Sequence, residues 1–346
     1  MKRSSANRIA RRTLFIALAL SGFAFADSPP QTSSDDQTAP PSSGATTLDT
    51  VMVTGEQPGP GLWKVSNGDH VLWILATAYP LPKNMVWQAK EVETTIAQSQ
   101  EVIANVSGKL DISFFHKLTL LPAAMSARKN PDGKTLKDVL SAADYSRWKV
   151  LKAKYIGSDS GVEKFRPMFA AQELNQKAMD KSGLVGNGVV WDKVKDAAKK
   201  NRVRIVEPEA KIPVDDPGQM IRDFKTTTGD LDAACLVATM RRFESDMSVM
   251  QQRANAWAVG DIQALKTLPL PQVRDVCVQA LRSNDRLSEQ MNVAIEKMFT
   301  AWTVEAESAL TKNASTFAVI PMENLLVKDG PLDRLRQKGY TVEDPE

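Results

Sequence analysis

Histidine is the most versatile chemical side chain at neutral pH, and this chain has two, His70 and His116, in 346 residues. His70 stands beside Asn67-Gly68, where a turn places it on a solvated hairpin end. His116 follows Phe114-Phe115 in an amphipathic stretch, which reads as a satisfied, partly buried histidine. Glu323 and Asp329 are the remaining stray candidates, in a region that reads as loop. No Gly-x-Ser-x-Gly elbow is present, so no serine triad can be built around either histidine. Walker and dinucleotide glycine patterns are also missing. Asp215-Asp216 precedes Pro217-Gly218 and reads as a turn and helix N-cap rather than a cation site.

Cys235 and Cys277 both fall in helical-looking sequence. They can pair across a helix hairpin in an oxidising compartment if their Cα atoms come within about 7 Å. The alternative is a pair of buried small hydrophobes. They are too few, and too far apart, for a zinc knuckle.

The N-terminus indicates the compartment. Lys2, Arg3, Arg8, Arg11 and Arg12 precede a short apolar run, Thr13 to Phe25, and Ala24-Phe25-Ala26 offers a small-x-small cleavage site. A membrane span needs roughly 20 apolar residues, so 1–26 reads as a signal peptide. Arg11-Arg12 also permits a twin-arginine route. The protein is expected in the periplasm, or secreted, of a Gram-negative cell, with no transmembrane segment after cleavage. Removing 1–26 takes five of the 44 basic residues and none of the 41 acidic ones, so the mature chain carries 39 against 41, a net of −2. Such a balance, with no basic block, argues against nucleic acid.

Residues 27–60 form a Ser/Thr/Pro-rich linker too poor in apolar residues to fold. Within it Leu48, Asp49, Thr50, Val51, Met52 and Val53 begin a β-prone octet, 48–55, similar to the TonB-binding segment of outer-membrane receptors. It reads either as a partner-binding strand or as a cover for the protein's own sheet edge. The folded domain, 61–346, opens with a hairpin over Leu62–Val65 and Val71–Leu75 around Asn67-Gly68. A helix follows from about Trp87, then a strand over Val102–Val106. Helices are predicted over 112–126, 136–155, 161–181, 189–200, 217–227, 230–256, 261–266 and a broken 271–312, with one strand at Val203–Val206 among them. Strands return at Thr316–Ile320 and Tyr340–Val342, with a short helix at 331–338 between them. With strands at both ends, the fold class is α/β (α+β): a mixed sheet built from the N- and C-terminal segments around a large helical insert.

Several ordered landmarks resemble one family. Gly61-Leu62-Trp63-Lys64-Val65, Ile74-Leu75-Ala76-Thr77 and Pro80-Leu81-Pro82 are similar to the opening of TraB/GumN domains. Ala256-Trp257-Ala258-Val259-Gly260-Asp261 resembles the family's central Trp-Gly-Asp segment. Gly330-Pro331-Leu332 and Gly339-Tyr340-Thr341-Val342 resemble its closing helix and strand. The resemblance implies an erythromycin-esterase/ChaN-like architecture and, as in the animal Tiki proteins, metal-dependent hydrolysis of peptide bonds. It also implies a Gly-x-x-His after an early strand, a Glu ending the next, and a second Gly-x-x-His near the C-terminus.

This sequence departs from each of those motifs. Ala76 and Tyr79 stand for the first Gly and His, Asn105 for the Glu, and Pro321 and Asn324 for the second Gly and His; a family Arg-Asn pair falls near Met298-Phe299. Amides are weak ligands for transition-metal dications, and a phenol with pKa near 10 is protonated at pH 7. The expectation is therefore a domain without metal or other cofactor that binds a protein or peptide ligand in the envelope. Trp63, Trp73, Trp87 and Tyr79 would form its cleft walls. Two alternatives stand beside it. One is a hydrolase with a site rebuilt around Tyr79, Asn105, Glu323 and Asn324, with Glu323 as the substitute carboxylate. The other is an adaptor acting through 48–55.

Overall fold

A computed structural model describes residues 59–186, 188–227, 229–268 and 273–345. The segment 1–26 read as a signal peptide and the octet 48–55, with all but the last two residues of the linker, lie outside the described residues. Strands β1 (Leu62–Asn67) and β2 (His70–Thr77) form the expected hairpin. Asn67 pairs with His70, so the turn itself is Gly68-Asp69, and Gly68 takes a φ of 59° that costs a glycine nothing. Then come β3 (Leu81–Pro82), α1 (Lys90–Gln98), β4 (Glu101–Ile103) and β5 (Ser107–Asp111).

The insert begins with α2 (Phe114–Ala127), α3 (Leu136–Val139), α4 (Ala142–Leu151) and α5 (Pro167–Lys181). It passes through β6 (Leu184–Val185), α6 (Gly188–Asn201), β7 (Arg204–Val206) and β8 (Glu209–Pro213). Helices α7 (Pro217–Lys225), α8 (Gly229–Glu244), α9 (Met247–Ala258), α10 (Ile262–Thr267) and α11 (Val273–Arg282) complete it. The long α12 (Asp285–Lys312) returns the chain to β9 (Ser315–Pro321), the single-turn α13 (Met322–Leu325), α14 (Pro331–Gln337) and β10 (Thr341–Glu343).

Among the described residues the main sheet has the order β10-β1-β2-β9-β4-β7. Strand β9 lies between β2 and β4 and runs parallel to both, and β4 runs parallel to β7. The hairpin makes β1 antiparallel to its neighbours, so the sheet is mixed. The two ends of the chain meet as expected: β10 borders β1, and β9 fills the centre. Successive residues Phe317, Ala318, Val319 and Ile320 are all buried, so both faces of β9 are covered. Helices α1 and α6 pack on each other and on β9 and β7 respectively, while α12 runs against β1, β2 and β9. The insert has its own core around Trp148, Leu174, Leu236 and Met240.

Several sequence expectations need correction. The strand over Val102–Val106 ends at Ile103, and β5 and β8 form a separate parallel pair. Strand β5 alternates exposed and half-buried residues, too polar a ribbon to register as apolar periodicity. The helix over 230–256 is two helices, split where the Ser245 hydroxyl donates to Arg241 O and to Asp246 and so competes with the helix backbone. The break in 271–312 falls at Ser283-Asn284, where Asn284 caps α12 by accepting from Leu287 N. Asp216 caps α7 as expected. His70 is not a solvated end: a ring nitrogen sits 2.9 Å from Leu310 O, in the last turn of α12, where carbonyls lack helical partners. His116 is exposed rather than partly buried. Trp63 is 1% exposed and belongs to the core, not to a cleft wall.

The Trp-Gly-Asp segment is structural throughout. Trp257 Nε1 donates to Ala76 O at 2.7 Å and its ring lies 5.4 Å from that of Trp87. Asp261 caps α10 by accepting from Ala264 N. Gly260 has a φ of 72°, and a Cβ there would stand 2.8 Å from Gly59 O. Gly260→Ala combines left-handed strain with a backbone clash and is expected to cost about 1–3 kcal/mol. Urea unfolding checks this, and wild-type stability would refute it.

Candidate functional site

Parallel pairing aligns the strand ends. Thr77 of β2 is level with Pro321 of β9, and Ile103 of β4 with Ala318. Residues 76–79, Asn105 and 321–324 therefore leave the sheet at the same carboxyl edge, where open α/β sheets receive ligands. The three separated sequence positions are brought to one end of the sheet. Ala76 is buried within β2, and the Asn105 Oδ1 is buried with no hydrogen-bond partner among the described residues. Glu323 and Asn324 share α13, the first exposed and the second half-buried. Asp329 is exposed on the following loop, where its carbonyl accepts from Arg334.

Tyr79 leaves the sheet and packs on the core of the insert. Its hydroxyl hydrogen-bonds Asn175 on α5, and Arg242 Nη1 on α8 donates to Asn175 Oδ1 at 3.1 Å. Asn175 thus joins phenol and guanidinium. Arg242 is 8% exposed, and its Nε has no hydrogen-bond partner among the described residues. Glu323 acts electrostatically on Tyr79, Arg242 and Arg253, and it pairs with Arg274 Nη1 at 3.3 Å. Asp246 also faces Arg242. Arg253 spends Nη1 on the carbonyls of Leu265 and Leu268, both at 2.9 Å. Burial pushes the Tyr79 phenol above its ordinary value, against the partial offset of Arg242 and Asn175, so at neutral pH it is a protonated donor. Burial lowers Arg242, partly offset by Tyr79 and Glu323, yet a guanidinium stays charged in proteins.

Sequence reasoning passed over Asn175, Arg242, Arg253 and Arg274. For Arg242 a signal existed. Cys235, Leu236, Thr239, Met240 and Phe243 form the buried face of α8, and Arg242 falls among them, seven residues after Cys235. A charge on an apolar face is the informative kind of buried residue.

Two fixings hold α8 in place. Arg166 Nε donates to Asp232 at 2.6 Å, Nη1 to Phe224 O, and Nη2 to both oxygens of Thr227, tying the start of α8 to α5 and α7. Cys235 and Cys277 form a disulfide with Cα atoms 4.5 Å apart, so α8, which carries Arg242, is bonded to α11, which carries Arg274. Closing a loop of 42 residues restricts the unfolded chain by about 4 kcal/mol in the chain-entropy model. Cys235→Ser/Cys277→Ser is expected to lose about 2–4 kcal/mol of unfolding free energy. Denaturant melts of both proteins in oxidising buffer test this, and coincident curves would contradict it.

The residues do not fit the divalent metal that the family resemblance implies. Its imidazole and carboxylate positions hold a protonated phenol and two amides, which are poor donors. Among the described residues no three His, Cys, Asp or Glu side chains group as metal ligands. Glu323 is engaged with Arg274, and Arg242 adds a fixed positive charge. Two unit charges 4 Å apart interact by about 4 kcal/mol at the effective dielectric of a protein surface, and a dication doubles the repulsion. The arrangement supplies hydrogen-bond donors and positive charge instead.

The model of the TraB/PrgY/gumN family matches residues 61–344, and the chain belongs to that family. No curated protein and no solved structure matches it. No helix among the described residues is long and apolar enough to cross a membrane.

Proposed function

We propose that this member of the TraB/PrgY/gumN family is a non-hydrolytic binding protein of the Gram-negative cell envelope, carrying a ligand cleft where metal-dependent relatives would carry an active site. One observation carries the reading: Tyr79, Asn105 and Asn324 leave the sheet at the edge where the resemblance calls for ligands, and Arg242 stands hydrogen-bonded behind Tyr79 through Asn175. Water needs a strong Lewis acid or a poised base before it attacks an amide. Here Glu323, the carboxylate that follows β9, is exposed and paired with Arg274. The leader over 1–26 supports export, and the Cys235–Cys277 bond suits an oxidising compartment.

The purified mature protein is expected to retain no stoichiometric zinc or manganese after equilibrium dialysis, and to leave a peptide library uncut whether manganese or EDTA is present. A retained ion together with EDTA-sensitive, manganese-restored cleavage would establish the alternative, a hydrolase with a rearranged site.

A further inference from the structure

Two buried arginines of the insert differ in one respect. Arg166, 6% exposed, has Nε, Nη1 and Nη2 all donating to protein oxygens, with the carboxylate of Asp232 as counter-ion. That arginine is structural and complete. Arg242, 8% exposed, makes one side-chain hydrogen bond, to the neutral Asn175, and its Nε is left without a partner among the described residues. Leaving a buried donor unmatched is destabilising, more so when the group is charged. Among the described residues, Arg166 is matched by a carboxylate, whereas Arg242 hydrogen-bonds only a neutral amide and keeps an unmatched buried donor.

The surroundings define that acceptor. Tyr79 presents a protonated hydroxyl beside Arg242, while Arg253 feels the charge of Glu323 and Arg274 pairs with it. Three guanidinium groups thus face two carboxylates, Glu323 and Asp246. The surplus is positive. Glu323, on the flexible-length side chain that follows β9, already lies in the field of all three arginines, so a carboxylate is accommodated there by the chain itself. The Nε edge of a guanidinium presents parallel N–H donors that match the two oxygens of a carboxylate.

Building on the reading of the cleft as a binding site, we propose that it recognises the carboxylate of a peptide or small organic acid, gripped by Arg242 and Tyr79 at the base, with Glu323 as an internal competitor released when the ligand enters. Arg274, freed from Glu323, then faces the incoming anion at the rim.

Isothermal titration of the mature protein at low ionic strength with three probes tests this: N-acetyl-dialanine as free acid, the same dipeptide as C-terminal amide, and inorganic phosphate. Succinate in a fourth arm separates a general carboxylate site from a peptide-terminus site. The free acid or succinate is expected to bind, and the amide not to. Arg242→Gln is expected to weaken binding at least tenfold, since a charge-assisted bond is lost. Because that variant alters a buried residue, Glu323→Gln at the exposed rim provides an independent reading. It should tighten binding roughly two- to fivefold, the scale of an exposed ion pair. Phosphate binding without carboxylate binding, equal affinity for acid and amide, or a Glu323→Gln protein with unchanged or weaker affinity would overturn the proposal. Absence of anion binding with no metal-dependent cleavage would remove this inference and leave the non-hydrolytic reading intact. Metal-dependent cleavage would remove that reading itself.

Discussion

The parallel pairing of β9 between β2 and β4 is the constraint on which the rest depends. It joins the last third of the chain to its first, and all insert helices must fit within the loop that it closes. Because both neighbours run parallel to β9, their carboxyl ends gather on one edge. Residues near 77 and 321, more than 200 positions apart, therefore leave the sheet at that edge. Continuous burial of β9 fixes its register, since a slip of one residue would exchange the contents of its two faces.

The insert then decides what the edge can do. Tyr79 does not remain with the sheet; it crosses to the insert's core and is held by Asn175, the residue that also holds Arg242. Helix α8 is secured by the Arg166–Asp232 pair near its start and by the disulfide to α11 farther along. A buried ion pair of this type contributes little net stability while intact, and about 3–5 kcal/mol is lost when one partner is removed. Its effect here is positional: it fixes the helix that carries an incompletely bonded arginine. Under the proposed reading, guanidinium supplies the positive charge at this edge. A guanidinium can bind and orient an anion, but it offers water no coordination.

Much of this was legible in the sequence, and the gaps have physical reasons. The hairpin, the central and closing strands, and the cap at Asp216 followed from turn chemistry and apolar periodicity. The meeting of the chain ends followed from strands lying on both sides of a helical stretch. Tyr79, Asn105 and Asn324 were named through the family resemblance, and the strand pairing brings the strand ends that precede them to one edge. The ribbon of β5 and β8 escaped notice because β5 is polar and at most half-buried, and β8 offers only Ala210 and Ile212 as buried alternate positions. Arg242 escaped because charged residues in helices are normally solvated; only its place on the α8 apolar stripe distinguished it. His70 was misread because its partner, a terminal carbonyl of α12, lies 240 residues away.

On the proposed reading, a fixed positive charge occupies the sheet edge where a metal would otherwise sit. Anomalous scattering tests it directly, on crystals of the mature protein soaked separately in bromide and in manganese chloride. A bromide peak is expected against the Arg242 guanidinium and the Tyr79 hydroxyl, with no manganese peak at the carboxyl edge of the sheet. A manganese ion coordinated among Tyr79, Asn105, Glu323 and Asn324 would contradict it.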